Sequence, residues 1–417
     1  MGSAKASWWA LALLSATSFF NYLDRMVIAV LVEPMKHDLG LSDTQMGLVS
    51  GLAFALLYAT AGLPLARLAD RGVRVRLLAA CVAAWSLMTA LTGQVRSFVE
   101  LFLVRMGVGI GEAGCVPASH SLIADLFPPH ARALALGIFQ AGGLVGLTLG
   151  LALAGWLADT QGWRTALAVI GLAGLPLALL IALALPEPPR GGTEGTPPAE
   201  RAAAAVKALL NRPVFLHVLL GISAGAFSAY GKAQWYPAFY VRSHGLTLTE
   251  IGVYGSLASG LGGILGILAG GAAMIRLRPR DPRWELWLPM AGYLAAIPFA
   301  LFTLSAADYA VAFLAQFLAV FIAASGGGAA LAALQAQAEP HRRATAAALM
   351  LILSSLIGLG LGPVAIGLVS DQLAPRFGPD SLRVAMLAAT AIYAWAALHF
   401  ALAARAMGRN TPLQTAS

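Results

Sequence analysis

Four ionisable residues sit where an apolar chain tolerates them least. Asn21-Tyr22-Leu23-Asp24-Arg25 lies past the middle of an apolar run over 8–32, and Arg105 and Glu112 lie inside another over 98–122. A charge at the centre of a bilayer costs at least about 2.5–3.5 kcal/mol on insertion scales, so each needs a partner, a wet cavity or a function. Neighbours on a helix point about 100° apart, so Asp24 and Arg25 cannot serve one partner through one face. Arg105 and Glu112 are spaced i, i+7 and share a face. Gly107, Gly109, Gly111 and Gly114 around them offer a small-residue surface for the close approach of another helix.

If the two runs face one central cavity, Asp24 and Glu112 neutralise Arg25 and Arg105 and the quartet carries no net charge. One added proton breaks that balance and frees an arginine for an anionic substrate or a gate partner. These four are the candidate proton-coupling residues. A static ion network that only binds the helices together is the competing reading, because structural networks also perturb titration. Asn21 and Tyr22 are candidate substrate contacts, as are Lys232, in Tyr230-Gly231-Lys232-Ala233-Gln234-Trp235-Tyr236-Pro237, and His120. Lys232 either draws an anionic group into the cavity or snorkels to the outer interface. His120 is either packed at an interface or a proton relay.

The elements that must position these residues follow from composition. Of 417 residues, 59% are hydrophobic and 11% charged, against roughly a quarter charged in a soluble domain. Apolar runs recur near 8–32, 44–66, 77–95, 98–122, 132–158, 164–186, 214–240, 248–274, 285–305, 308–333, 343–370 and 381–407. Each is long enough to cross a hydrocarbon core of about 30 Å as a helix, and they are numbered helix 1 to helix 12. None alternates as a barrel strand would. The run over 8–32 continues past Asp24 and Arg25 without an evident cleavage site and reads as a retained first helix.

Lysine and arginine placement predicts orientation. With the N-terminus in the cytoplasm, only Lys36, Arg96, Arg164, Arg242, Arg376 and Arg383 fall outside, and Arg25, Arg105 and Lys232 fall within helices. The remainder of the 27 gather on the inner side, so a multi-pass inner-membrane protein with both termini cytoplasmic is expected. The net charge of +8 is spread as a girdle beside the membrane; anionic headgroups, not nucleic acid, are the expected partner. Cys81 and Cys115 lie inside apolar runs and imply no disulfide framework.

The chain also repeats. Gly146, Gly150, Gly155 and Asp159 recur 212 residues on as Gly358, Gly362, Gly367 and Asp371, and Pro129-His130 with Arg132-Ala133 recurs as Pro340-His341 with Arg343-Ala344. Two matches at one spacing indicate duplication. Parallel six-helix repeats are the architecture of the major facilitator type, with the substrate site between the halves. The predicted fold is all-α, twelve helices in two six-helix bundles, 1–186 and 213–417, joined by a Pro- and Gly-rich cytoplasmic linker over 187–212. Residues 199–211 form a short helix there, either interfacial or solvated.

Arg67 to Arg76, between helices 2 and 3, resembles the superfamily's cytoplasmic loop signature: Asp70, Arg71 and Arg74 match its charged positions, while Ala66 replaces the leading Gly. Such a loop can bond a neighbouring helix N-terminus through Asp70 and bridge Asp125 through its arginines. With Arg132 these form the candidate cytoplasmic gate. The competing reading is a topology signal alone, which explains the arginines but not Asp70.

Asn21-Tyr22-x-Asp24-Arg25, Arg105-x-x-Val108-Gly109-x-Gly111-Glu112-Ala113 and Ile123-Ala124-Asp125-Leu126-Phe127 together resemble the Spinster family of major facilitators. The resemblance implies alternating access, export of lysolipids or sphingoid phosphates energised by protons, and central roles for Asp24, Arg25, Arg105 and Glu112. The alternative is a facilitator for drugs or small organic anions. A channel would need polar rings along a pore, which do not recur here. No metal-ligand cluster, catalytic constellation or Walker loop is present in the sequence, so no enzyme, cofactor or direct use of ATP is expected. The protein is expected to work as a monomer on protons and an amphiphilic or lipid substrate.

Overall fold

In lipid every backbone amide must find its partner within its own segment, which leaves helices as the economical solution for apolar runs of this length. A computed structural model of the chain describes residues 4–189 and 202–410. Residues 190–201 of the expected linker, with Arg190 and Arg201, lie outside the described residues.

Nine stretches among the described residues are long and apolar enough to cross a membrane. Eight correspond to one predicted helix each: Asp43–Arg71, Arg74–Thr92, Pro129–Gln161, Trp163–Ala184, Pro213–His244, Leu248–Leu277, Trp284–Ser305 and Tyr309–Ala336. These are helices 2, 3 and 5 to 10. The ninth, Thr345–Gly408, contains helices 11 and 12, parted by a tight turn at Gly378–Asp380. Helix 1 runs over Ala4–Leu39, its apolar character interrupted by Asn21, Asp24, Arg25 and Glu33. Helix 4 comes in two pieces, Phe98–Ala113 and Cys115–Leu126. The twelve-helix plan is therefore complete, with the charged quartet on helices 1 and 4.

The duplication extends to local structure. Helix 4 breaks at Gly114 and helix 10 at Gly326, 212 residues on, with φ of −83° and −80°. A Cβ at Gly114 would lie 2.6 Å from Cys81 Sγ on helix 3, and one at Gly326 would strike the Pro289 backbone on helix 9. Helices 2 and 8 both open with a capping box, Ser42 with Gln45 and Thr247 with Glu250, which satisfies two amide donors that a helix start leaves orphaned. Both then pass through a π-helical turn, Leu48–Leu52 and Ser256–Leu261.

Contacts divide the chain into two compact units. One comprises Met1–Thr193, Ala233–Gly260 and Pro363–Leu382; the other comprises Glu194–Lys232, Leu261–Gly362 and Arg383–Ser417. In the first, the repeated glycines let backbones touch: a Cβ at Gly146 would collide with the Phe19 carbonyl of helix 1, and one at Gly155 with the Leu248 carbonyl of helix 8. In the second, Gly362 stands in the same relation to Phe227 of helix 7. The core of the second unit gathers Phe215, Leu219, Leu286, Leu334 and Phe400. Helix Ala202–Leu210 turns Ala205 and Leu209 into the protein, and Arg212 just beyond it donates to the Gln337 carbonyl at 2.5 Å.

Overpacking a tight crossing costs about 1–3 kcal/mol or more. Gly146→Val should therefore lower the midpoint of thermal unfolding in detergent and the yield of folded protein. Gly137→Ala, where a Cβ meets nothing within 4 Å, should leave both unchanged or raise them, given the better helix propensity of alanine.

Candidate functional site

Helix 1 and the first piece of helix 4 bring the quartet together as two crossed pairs. Arg25 Nε lies 2.6 Å from Glu112 Oε2, and Arg105 Nη1 lies 3.7 Å from Asp24 Oδ2. The 100° step between residues 24 and 25 sends each to a different partner, and the i, i+7 spacing on helix 4 sets those partners on one face. Asp24, Arg105 and Glu112 are buried, and the Arg25 side chain keeps 18% of its exposure. The Arg25 guanidinium lies over Tyr58, Phe54 and Tyr22, 4.7, 5.1 and 5.4 Å from the ring centroids. Such cation–π contact supplies attraction where water is scarce.

The cluster is not saturated. Asp24 Oδ2, Glu112 Oε1, Arg105 Nε, Asn21 Nδ2 and Thr89 Oγ1 are buried with no hydrogen-bond partner among the described residues. Both acids thus hold acceptor capacity that a proton would use, and one guanidinium holds a free donor.

At the arginine-rich end of the same unit, Arg74 is buried and fully engaged. It pairs with Asp125 and with Glu187 at 2.7 Å, and it donates to Ser121 Oγ at 3.0 Å and to the Pro188 carbonyl at 3.0 Å. Glu187 also accepts from the Val75 amide at 2.9 Å. Arg132 donates to the Phe127 carbonyl at 3.0 Å, closing the end of helix 4. Asp70 and Arg71 are exposed and make no hydrogen bond or ion pair among the described residues. The structure thus joins Arg74 to Asp125 but brings neither Asp70 nor Arg71 to them.

At the opposite end of this unit, Arg242 of helix 7 holds Glu33 of helix 1 at 2.5 Å and Asp43 at the start of helix 2 at 2.7 Å. Lys36 joins Asp43 at 2.5 Å. Asp371 of helix 11 accepts from the Asp43 and Thr44 amides at 3.0 and 2.8 Å, and Asp159 of helix 5 accepts from the Leu248 and Thr249 amides at 3.3 and 2.7 Å. A carboxylate on the positive end of a helix dipole is a favourable contact, and here it is made twice, by the two repeat-related aspartates.

Residues 14–363 match the family described as Major Facilitator Superfamily. An MFS-type efflux pump of Mycolicibacterium smegmatis is 36% identical over 387 residues, covering 92% of this chain and 89% of that protein. Protein spinster homolog 1 of Rattus norvegicus is 32% identical over 390 residues, 88% of this chain and 73% of that protein. The crystal structure of a bacterial homolog to the human lysosomal transporter Spinster, inward-facing and unoccupied, superposes with a TM-score of 0.89 at 31% identity, covering 99% of this chain and 100% of that one. The chain is a Spinster-type member of the major facilitator superfamily. It is a multi-pass secondary transporter, as its relatives are, and not an enzyme.

In this facilitator Tyr22 adjoins the quartet through Arg25, and Lys232 packs on residues of helix 12 instead. Lys232 is buried between helices 7 and 12, its Nζ 3.4 Å from Thr390 Oγ1 and 4.0 Å from the Tyr393 ring centroid; it does not reach a surface. Asn21 is buried, and the Tyr22 ring packs where Gly143 of helix 5 leaves space. His120 is exposed, with its ring edge-on to Phe139 at 5.4 Å. Sequence reasoning passed over Glu187, Glu33, Asp43 and Arg242. The signal for Glu187 was available, a lone acid directly after helix 6; the other three are paired across about 200 residues with no local pattern.

Removing one partner of a buried ion pair costs about 3–5 kcal/mol, because the other charge is left uncompensated. Arg74→Gln should destabilise the folded protein by that order, read as a drop in thermal midpoint. Arg71→Gln, at an exposed site, should stay within about 0.5 kcal/mol of the parent.

Proposed function

We propose that the protein is a proton-coupled transporter of an amphiphilic anion, a lysolipid or a sphingoid phosphate, in which the crossed quartet of helices 1 and 4 is the coupling site. The observation that carries this reading is the unsaturated pairing itself. With all four groups ionised the site is neutral and closed upon itself. A proton on Glu112 releases Arg25, and a proton on Asp24 releases Arg105, leaving one net positive charge in an apolar surround that an anionic head can neutralise. The Tyr22, Phe54 and Tyr58 rings beside Arg25 offer apolar contact next to that charge, which suits a head joined to an alkyl tail. The two six-helix halves, 1–186 and 213–417, alternate access as one monomer, with the termini and the 187–212 linker in the cytoplasm of the inner membrane. The likeness to Spinster proteins supports the lipid-like substrate class.

Alternating access requires each end to seal in turn. Arg74 with Asp125 and Glu187 serves the arginine-rich side, and Arg242 with Glu33 and Asp43 serves the other. Breaking the Arg242 cluster is then part of each cycle. Arg242→Ala should speed maleimide labelling, from that side, of a cysteine placed at Tyr22. An unchanged labelling rate would remove the cluster from the gate.

The coupling test uses purified protein in liposomes with an imposed pH gradient. Glu112→Gln and Asp24→Asn should each lower gradient-driven uptake at least tenfold while substrate exchange without a gradient persists. Gradient-driven flux at the parental rate in both variants ends the coupling assignment. Movement of a small hydrophilic anion, with lysophospholipids and sphingosine phosphate neither bound nor moved, ends the amphiphile assignment in favour of an organic-anion facilitator.

A further inference from the structure

The second compact unit contains a cleft that the quartet does not account for. It lies among helices 8, 9 and 10 and the start of helix 11, with a cavity volume of about 740 Å³, within the range of sites that hold a drug-sized ligand. Its walls change character along its length. Ile267, Gly271 and Met274 of helix 8 face Ala332 of helix 10, whereas Arg278, Glu285 and Arg343 stand at the helix ends. From Ile267 to Arg278 is roughly 16 Å of helix at 1.5 Å per residue, so one site spans a charged mouth and an apolar trough of about half a bilayer's hydrocarbon core.

The trough is open by construction. A Cβ at Gly271 or at Gly328 would meet nothing within 4 Å, while one at the adjacent Gly270 would collide with the Ser325 carbonyl of helix 10. The same two helices thus touch along one line and stand apart along the next. Leu268, Ile275 and Leu331, at 64%, 77% and 42% exposure, extend the apolar surface on these helices.

Charge at the mouth is specific in amount. Glu285 is buried and takes Arg278 Nε at 2.5 Å, but the Arg278 side chain remains 65% exposed. Arg343 is exposed and makes no hydrogen bond or ion pair among the described residues. Among the residues that line the cleft, one acid stands against two guanidiniums, a net single positive charge.

We propose that this cleft binds an anionic membrane phospholipid, a monoanionic phosphodiester held at Arg343 and the free edge of Arg278, with an acyl chain laid along Gly271, Met274 and Gly328. Charge complementarity selects the occupant. A phosphodiester carries one negative charge and matches the mouth; a zwitterionic head brings its own cation against Arg343. Guanidinium forks suit phosphate oxygens, and basic pockets between spanning helices are established sites for anionic heads. By the positive-inside arrangement, the lipid is drawn from the cytoplasmic leaflet. This site is separate from the coupling quartet, and its test needs no transport.

The full-length protein in detergent is titrated with phosphatidylglycerol, phosphatidylcholine or inorganic phosphate, and bound ligand is counted by native mass spectrometry. One phosphatidylglycerol should be retained per chain, at least tenfold more tightly than phosphatidylcholine. Inorganic phosphate should fail to displace it at equal concentration. Arg343→Gln should weaken phosphatidylglycerol at least tenfold. Gly328→Leu should do the same by filling the trough, in a substitution that relieves rather than strains the helix. Equal retention of the two lipids, or parental retention by both variants, overturns the proposal; displacement by inorganic phosphate alone overturns the lipid assignment in favour of a plain anion site. Retention is read without a pH gradient or transport, so failure of the coupling scheme and failure of this site are read separately.

Discussion

An ionised side chain inside a hydrocarbon slab has to find its opposite within a few ångströms, and the first compact unit is organised around that requirement. Asp24 and Arg25 are adjacent and so diverge; Arg105 and Glu112 are two turns apart and so align. The crossed pairing of Arg25 with Glu112 and Asp24 with Arg105 is the arrangement that serves all four without a fifth charge. It also fixes how close helices must come. A Cβ at Gly109 would lie 2.6 Å from the Phe54 carbonyl of helix 2, and one at Gly111 would lie 2.8 Å from the Trp85 amide of helix 3. Helix 4 therefore has no room for side chains where its neighbours press against it, and Phe54 is held under both guanidiniums, 5.1 Å from Arg25 and 5.7 Å from Arg105.

The ends of the unit meet the same requirement with more partners per charge. Arg74 is satisfied by two carboxylates, a serine and a carbonyl, and Arg242 by two carboxylates. A charge met by several partners is held in place more firmly than one met by a single partner, since each further hydrogen bond repays part of the desolvation. Asp159 and Asp371 add a contact that reads backbone rather than side chain, each aimed at the amides that open a helix. Amide donors at a helix start need some acceptor whatever the sequence, so this contact could be inherited through duplication unchanged, whereas side-chain pairs had to be matched residue by residue.

That distinction explains which parts could be read from the sequence. The twelve apolar runs, the duplication and the mutual neutralisation of Asp24 and Glu112 with Arg25 and Arg105 were legible, because helix length, fixed spacing and the cost of buried charge are local properties. The Spinster-type motifs in the first third of the chain pointed to the family that the whole-chain comparisons show. The Arg242 cluster was not legible: Glu33 and Asp43 look like ordinary loop acids until folding places helix 7 beside them. Lys232 was ambiguous because a position toward a helix end permits either snorkelling or burial, and only the packing of Tyr393 against it decides. The break in helix 4 was hidden for a different reason, since Gly114 sits within a glycine-rich stretch whose other members stay helical.

The two repeats keep a common scaffold and differ in chemistry, and the difference lies where side chains are buried. Helix breaks at Gly114 and Gly326, capping boxes at Ser42 and Thr247 and aspartates at 159 and 371 are shared. The charged quartet is not: its counterpart region in the second unit holds Lys232, which has no carboxylate partner among the described residues and rests on a threonine and a tyrosine ring. A site with both signs of charge can gain or lose a proton and remain near neutrality, while a lone amine cannot do so without a counter-ion from elsewhere. Duplication thus supplied two bundles of like geometry, and divergence left the crossed pairs of opposite charge on helices 1 and 4 without a counterpart at Lys232 among the described residues.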